Sequence, residues 1–150
     1  MKIDESAPVR GRATATIPAP ADRVWDLLAG IGEWPRWNHE VARVTITQPA
    51  EPGTTFRWRA GRSTVVSTLR EVDAPHRLAW TGRSLGVSAV HTWTLGADGD
   101  RTTVVTEESM SGLLARILRG PMQRLLDRSL EAWLDALAAE AGAADQGRRD

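Results

Sequence analysis

The sequence predicts an α+β domain: a curved, seven-stranded antiparallel sheet wrapped around one long C-terminal helix, with two short helices after the first strand. Three observations predict it. Six runs with strand character follow one another between Val41 and Ser109 with only turn-length gaps, so they pair antiparallel, parallel neighbours needing a long crossover. Beyond Gly112 the apolar period lengthens, and Met122, Leu126, Leu130, Trp133, Leu134 and Leu137 recur at helical spacing. Finally, 150 residues with 41% hydrophobic and 25% charged side chains have the size and balance of one ordinary domain.

Taken in order, residues 1–8 are polar and expected to be flexible, and Val9–Ile17 alternates as a half-exposed strand. Pro18-Ala19-Pro20 stops it. A short helix opens at Ala21 or Asp22 and runs to Leu28, with Val24, Trp25 and Leu28 forming its buried stripe before Gly30 and Gly32 end it. Around Pro35, Trp34 and Trp37 are three apart, which puts both rings on one side of a second, very short helix. Strands are expected at 41–47, 54–62, 63–72, 77–83, 87–95 and 102–109, separated by 49–53, Gly61-Arg62, Ala74-Pro75, Gly86 and a loop at 96–100. Gly120-Pro121 then divides the helical region. Leu113, Leu114, Ile117 and Leu118 form the apolar face of a separate piece placed to act as a lid, and the long helix runs from about Pro121 to Ala141. The tail at 142–150 is small and charged and expected to be flexible, leaving one domain over 9–141.

Composition narrows function. Nineteen Lys plus Arg balance nineteen Asp plus Glu, so no long-range field favours nucleic acid or an anionic membrane, and Arg57, Arg59, Arg62, Arg70 and Arg83 read as solvated surface. With no Cys there is no disulfide, thiolate nucleophile or Cys-ligated metal, and His39, His76 and His91 lack ligand spacing, so no metal site is expected. No glycine-rich phosphate loop and no G-x-S-x-G elbow occur, which removes nucleotide cofactors and a hydrolase triad. The opening MKIDESAPVRGR lacks the apolar core of a signal peptide, and no run approaches the roughly 18 apolar residues of a membrane span; a cytoplasmic location is expected. Seven Trp accompany one Phe and no Tyr, so indoles must fill the core or line a cavity, and no phenolic acid is on hand.

Strand parity selects the site. Phe56 with Trp58 and Leu78 with Trp80 turn inward; Ala89, His91, Trp93 and Leu95 form the bulkier set of their strand, which buries His91. On 102–110 the inward set is either Val104, Thr106, Glu108 and Met110 or the alternate residues; the first carries Met110 into the core. With that choice His91 and Glu108 share one apolar space, as a general base or as the polar anchor for a carbonyl or hydroxyl. The alternative is a satisfied structural His91 and a rim carboxylate at Glu108. The expected ligand-binding set is Trp37, Phe56, Trp58, Trp80, His91, Trp93, Glu108, Met110 and Trp133, with core filling as the alternative for the rings. His39 and His76 read as solvated loop residues.

The segments IPAPADRVWDLL (17–28), the Trp34/Trp37 turn followed by Val41, PGTTFRWR (52–59), RLAWTG (77–82), EESMSG (107–112) and the terminal helix together carry a family likeness. Across about 9–141 the chain resembles the START-like or SRPBCC superfamily, within it the polyketide cyclase/dehydrase-like (lipid transport) group. The resemblance implies a helix-grip fold with a cavity between sheet and long helix, and members range over cyclases, hydratases, lipid carriers and hormone receptors, so it implies no single reaction. Two functions are expected from different classes. One is a carrier or sensor for a small hydrophobic molecule, lipid, aromatic or polyketide-like. The other is a cofactor-independent cyclase, dehydratase or isomerase in which His91 or Glu108 moves a proton. A third expectation is pairing with another chain through the sheet edge or the lid; the protein is taken as a monomer or homodimer.

Overall fold

The structure, a computed structural model, describes the backbone of residues 1–149 and the side chains of residues 1–143. The elements are β1 (Val9–Ile17), α1 (Ala21–Ala29), a 3-10 turn (Ile31–Glu33), α2 (Trp34–Trp37), β2 (Val41–Thr45), β3 (Thr55–Ala60), β4 (Ser63–Asp73), β5 (Arg77–Ser84), β6 (Val87–Asp98), β7 (Arg101–Ser111), α3 (Leu113–Ile117) and α4 (Arg119–Arg149). All seven strands form one antiparallel sheet in the order β1-β7-β6-β5-β4-β3-β2. The expected α+β helix-grip architecture is therefore present, with the meander closed on one side by β1.

Curvature has identifiable causes. Register shifts between Val41 and Arg43 and between Leu69 and Glu71 bend β2 and β4 where an extra residue interrupts the ladder. On β1, a Cβ at Gly11 would lie 2.9 Å from Leu130 Cδ1 and 3.2 Å from Leu126 Cδ2. Glycine there lets α4 approach the sheet closely.

Three boundaries differ from expectation. The 96–100 loop contracts to the two-residue turn Gly99-Asp100, because Gly96, Ala97 and Asp98 keep their pairing with Thr103, Thr102 and Arg101. The long helix begins at Arg119, with Pro121 in its first turn, where a missing N–H costs no hydrogen bond. It continues past Ala141 to Arg149, and the expectation of a loose tail falls partly on Asp150 and on side chains outside the described residues. Residues 1–8, expected to be flexible, make defined contacts: the Met1 amino group meets Glu71 at 2.9 Å, Arg77 donates to the Met1 carbonyl, and the Asp4 N–H donates to Ser109 Oγ at 3.0 Å. The outward-facing Ala79, Thr92 and Ser109 are buried.

The interior divides in two. The larger cluster joins α1, α2, the middle strands and the second half of α4 through Leu28, Trp34, Leu69, Trp93, Trp133 and Leu137. A smaller one at the β1 end of the sheet holds Val9, Ala115, Leu126 and Leu130, with Met110 and Met122 against it.

Candidate functional site

The larger cluster holds all seven tryptophans. Trp34, fixed by donating its ring N–H to the Leu28 carbonyl at 3.0 Å, has ring centroids of Phe56, Trp58, Trp80 and Trp133 at 5.7, 5.7, 5.3 and 5.1 Å. Trp133 descends from α4 and also meets Trp37 at 5.9 Å, Trp58 at 6.2 Å and Trp93 at 5.7 Å, edge to face. Every one of these rings is buried. They pack on one another, so a guest enters this space only by parting them.

His91 sits inside this shell, stacked on Trp93 at 5.3 Å and 4.7 Å from Trp80. Its strand partner across the ladder is Glu108, which places both side chains on the same face. The Thr106 hydroxyl donates to the Thr92 carbonyl at 3.2 Å and so accepts from His91 Nε2–H at 2.8 Å. That network assigns the proton to Nε2 and leaves Nδ1 as a bare lone pair, 3.6 Å from Glu108 Oε2, too long for a direct hydrogen bond.

Burial controls both charges. Removal from water pushes the His91 imidazole down to about 3 and the Glu108 carboxyl up to about 8. Glu108 keeps 14% of its side-chain surface exposed. Burial thus favours an imidazole facing a carboxylic acid over an ion pair. Two further buried donors, the indole N–H groups of Trp37 and Trp93, have no hydrogen-bond partner among the described residues.

Of the expected ligand-binding residues, the fold brings together Trp37, Phe56, Trp58, Trp80, His91, Trp93, Glu108 and Trp133. Met110 points inward but packs in the smaller cluster, away from the rings. His39 and His76 are exposed. Trp34 is the hub that sequence reasoning left out of the set, although its spacing from Trp37 had marked it. Thr106 was legible as an inward residue, whereas its bond to His91 depends on register. An open groove of about 480 Å³ lies elsewhere, among Ile3, Arg10, Arg12, Glu107 and Arg119, and its walls are charged rather than apolar. Among the described residues no group of three or more His, Asp or Glu is placed to hold a metal.

Comparison with known proteins agrees with this architecture. The family described as polyketide cyclase / dehydrase and lipid transport matches residues 8–142. A START superfamily protein from Mycobacterium smegmatis superposes with a TM-score of 0.79 at 16% identity, over 90% of this chain and 98% of that one. The Zhui aromatase/cyclase from Streptomyces sp. R1128 gives 0.77 at 20% identity, over 89% and 93%. A Thermus thermophilus protein gives 0.77 at 24%, over 90% and 98%. No curated protein matches this chain by sequence. At these identities the structural likeness establishes the fold, and the family match over nearly the whole length establishes membership: the chain belongs to the polyketide cyclase / dehydrase and lipid transport family.

Proposed function

We propose that this protein binds a small hydrophobic molecule bearing carbonyl or hydroxyl oxygens between the sheet and α4, as a carrier or sensor. The observation that carries this reading is the set of unsatisfied polar groups inside an aromatic shell. Trp37 and Trp93 each present an unpartnered N–H, and a protonated Glu108 adds an O–H. Each stranded donor costs about 1–3 kcal/mol, a deficit that an oxygen-bearing ligand would remove. Apolar burial, at about 25 cal/mol per Å², would supply the remaining affinity. The family match supports a hydrophobic ligand of lipid, aromatic or polyketide type. In this reading the protein acts in the cytoplasm, as a monomer or homodimer, and among the described residues no helix is long and apolar enough to cross a membrane.

One observation favours a second reading, cofactor-independent cyclisation, dehydration or isomerisation. His91 Nδ1 is an unprotonated base facing a carboxylic acid across 3.6 Å, which is an acid and a base poised on one ligand space. A neighbour of the same fold is an aromatase/cyclase. His91→Gln separates the readings: a carrier keeps its affinity within a few-fold, whereas a catalyst loses about 10² to 10⁴ in rate. Titration of tryptophan emission with a naphthyl ketone and a long-chain fatty acid tests the binding both require. Quenching or a spectral shift that saturates supports the site; an unresponsive spectrum with both probes contradicts it.

A further inference from the structure

Exposed aliphatic side chains are concentrated at one end of this molecule. Leu85 is 81% exposed, Leu113 71% and Ile117 67%, and Leu114, Leu118 and Leu125 are exposed beside them. Among the described residues only Met1 and Val66 are comparable otherwise, and Val66 pairs with Arg83. The Leu118 N–H donates to the Leu114 carbonyl at 2.9 Å and the Met122 N–H to Leu118 at 3.0 Å, so helix-type bonds bridge α3 and α4 although Leu118 itself, at φ −101° and ψ 35°, breaks the helix. The β5–β6 turn abuts this piece: a Cβ on Gly112, whose φ is 111°, would lie 2.3 Å from the Gly86 carbonyl oxygen. That contact brings the Leu85-Gly86 turn against the start of α3.

Leu85 is itself anomalous. Its φ is 43°, left-handed backbone at the first position of a two-residue hairpin turn, where Asn, Asp or Gly is the unstrained choice. A leucine there bears backbone strain in order to present an apolar side chain to the outside.

Charge gives the patch its partner. From Ser109 to Leu126 no acidic residue occurs, while Arg116, Arg119 and Arg124 do; Arg62 in the β3–β4 turn and Arg83 at the end of β5 lie at the same end, against which the fold sets Glu40 at the Gly61 turn, Asp4 at Ser111, and Glu5 and Glu107 beside Arg119. Arg62, Arg83, Arg116 and Arg124 are exposed, and none has a carboxylate within 4.0 Å among the described residues. These four unpaired guanidinium groups give this end cationic sites that the zero net charge of the whole chain conceals. In a twofold dimer through this face each arginine set would meet its own copy, which disfavours a second copy as occupant.

We propose that this end docks on a bilayer surface containing anionic phospholipids, with Leu85, Leu113 and Ile117 entering the headgroup region and the arginines meeting lipid phosphates. The proposal stands independently of any internal ligand. Co-sedimentation of the full chain with vesicles tests it, comparing phosphatidylcholine alone with a mixture containing one-third phosphatidylglycerol. Binding to the mixture should be at least about tenfold tighter and should weaken in high salt. Leu113→Asp combined with Ile117→Asp should abolish it, and Arg116→Glu with Arg124→Glu should remove the preference for the anionic vesicles. Leu85→Asn, which relieves its own backbone strain and therefore folds, should weaken binding several-fold. Wild-type protein left in the supernatant with anionic vesicles would overturn the proposal, as would Leu85→Asn and both charge-bearing variants binding like wild type. A dimer that Leu113→Asp with Ile117→Asp disperses, without vesicle binding, would assign the face to a second copy instead.

Discussion

Burial favours the uncharged forms of both His91 and Glu108, and opposite pH limbs follow. The folded Glu108 value of about 8 lies above its ordinary 4.5, so its contribution to stability is full below pH 4.5 and is lost as pH rises towards 8. The folded His91 value of about 3 lies below 6.5, so its contribution is full above pH 6.5 and is lost as pH falls towards 3. Denaturant unfolding across this range should show Glu108→Gln flattening the alkaline limb and His91→Gln the acid one. An unchanged slope between pH 5 and 8 in Glu108→Gln would mean that Glu108 is solvated and ionised. Thr106→Val should destabilise by about 1–3 kcal/mol, since it strands the Nε2–H of a buried imidazole, while Thr106→Ser restores the bond.

At the scale of elements, parity on β3, β5 and β6 was legible because each strand offers one plainly bulkier face. On β7 the two faces are nearly equal in size, and only the ladder, His91 opposite Glu108 and Trp93 opposite Thr106, orients it. The 96–100 segment read as a loop because Gly and Asp are common turn residues; pairing overrode composition. Nothing local in MKIDESAP announces a segment that meets Ser109 and Glu71, since those partners lie more than sixty residues away. The junction of β7 and α3 is equally non-local. Gly112→Ala should destabilise by about 1–3 kcal/mol, because its backbone is left-handed and the neighbour it would strike, the Gly86 carbonyl, is main chain and cannot swing aside. Equal stability of the variant, measured by thermal unfolding, would show that the turn yields.

For the whole molecule, the strand meander and the terminal helix were readable because periodicity and turn residues agree at most steps, the 96–100 segment excepted. The packing of the rings was not, since centroid distances depend on how α2, three strands and α4 converge. That convergence makes Trp34 structural as well as site-forming. Trp34→Ala should cost about 3–5 kcal/mol and lower the denaturation midpoint accordingly, a loss tied to contacts with four aromatic neighbours. On the proposed function, a guest would have to part Trp133 from its ring neighbours; the first two turns of α4, before that residue, are largely exposed.

Indole N–H resonances in a nitrogen-15 spectrum test guest binding most directly, because each tryptophan reports separately. On adding a naphthyl ketone, Trp37 and Trp93 should shift as they acquire an acceptor, while Trp34 and Trp58, already bonded to Leu28 and Ser67, should keep their hydrogen bonds and move little. If Trp37 and Trp93 stay fixed while ketone and fatty-acid probes saturate, the interior is a filled core and the proposed site is contradicted.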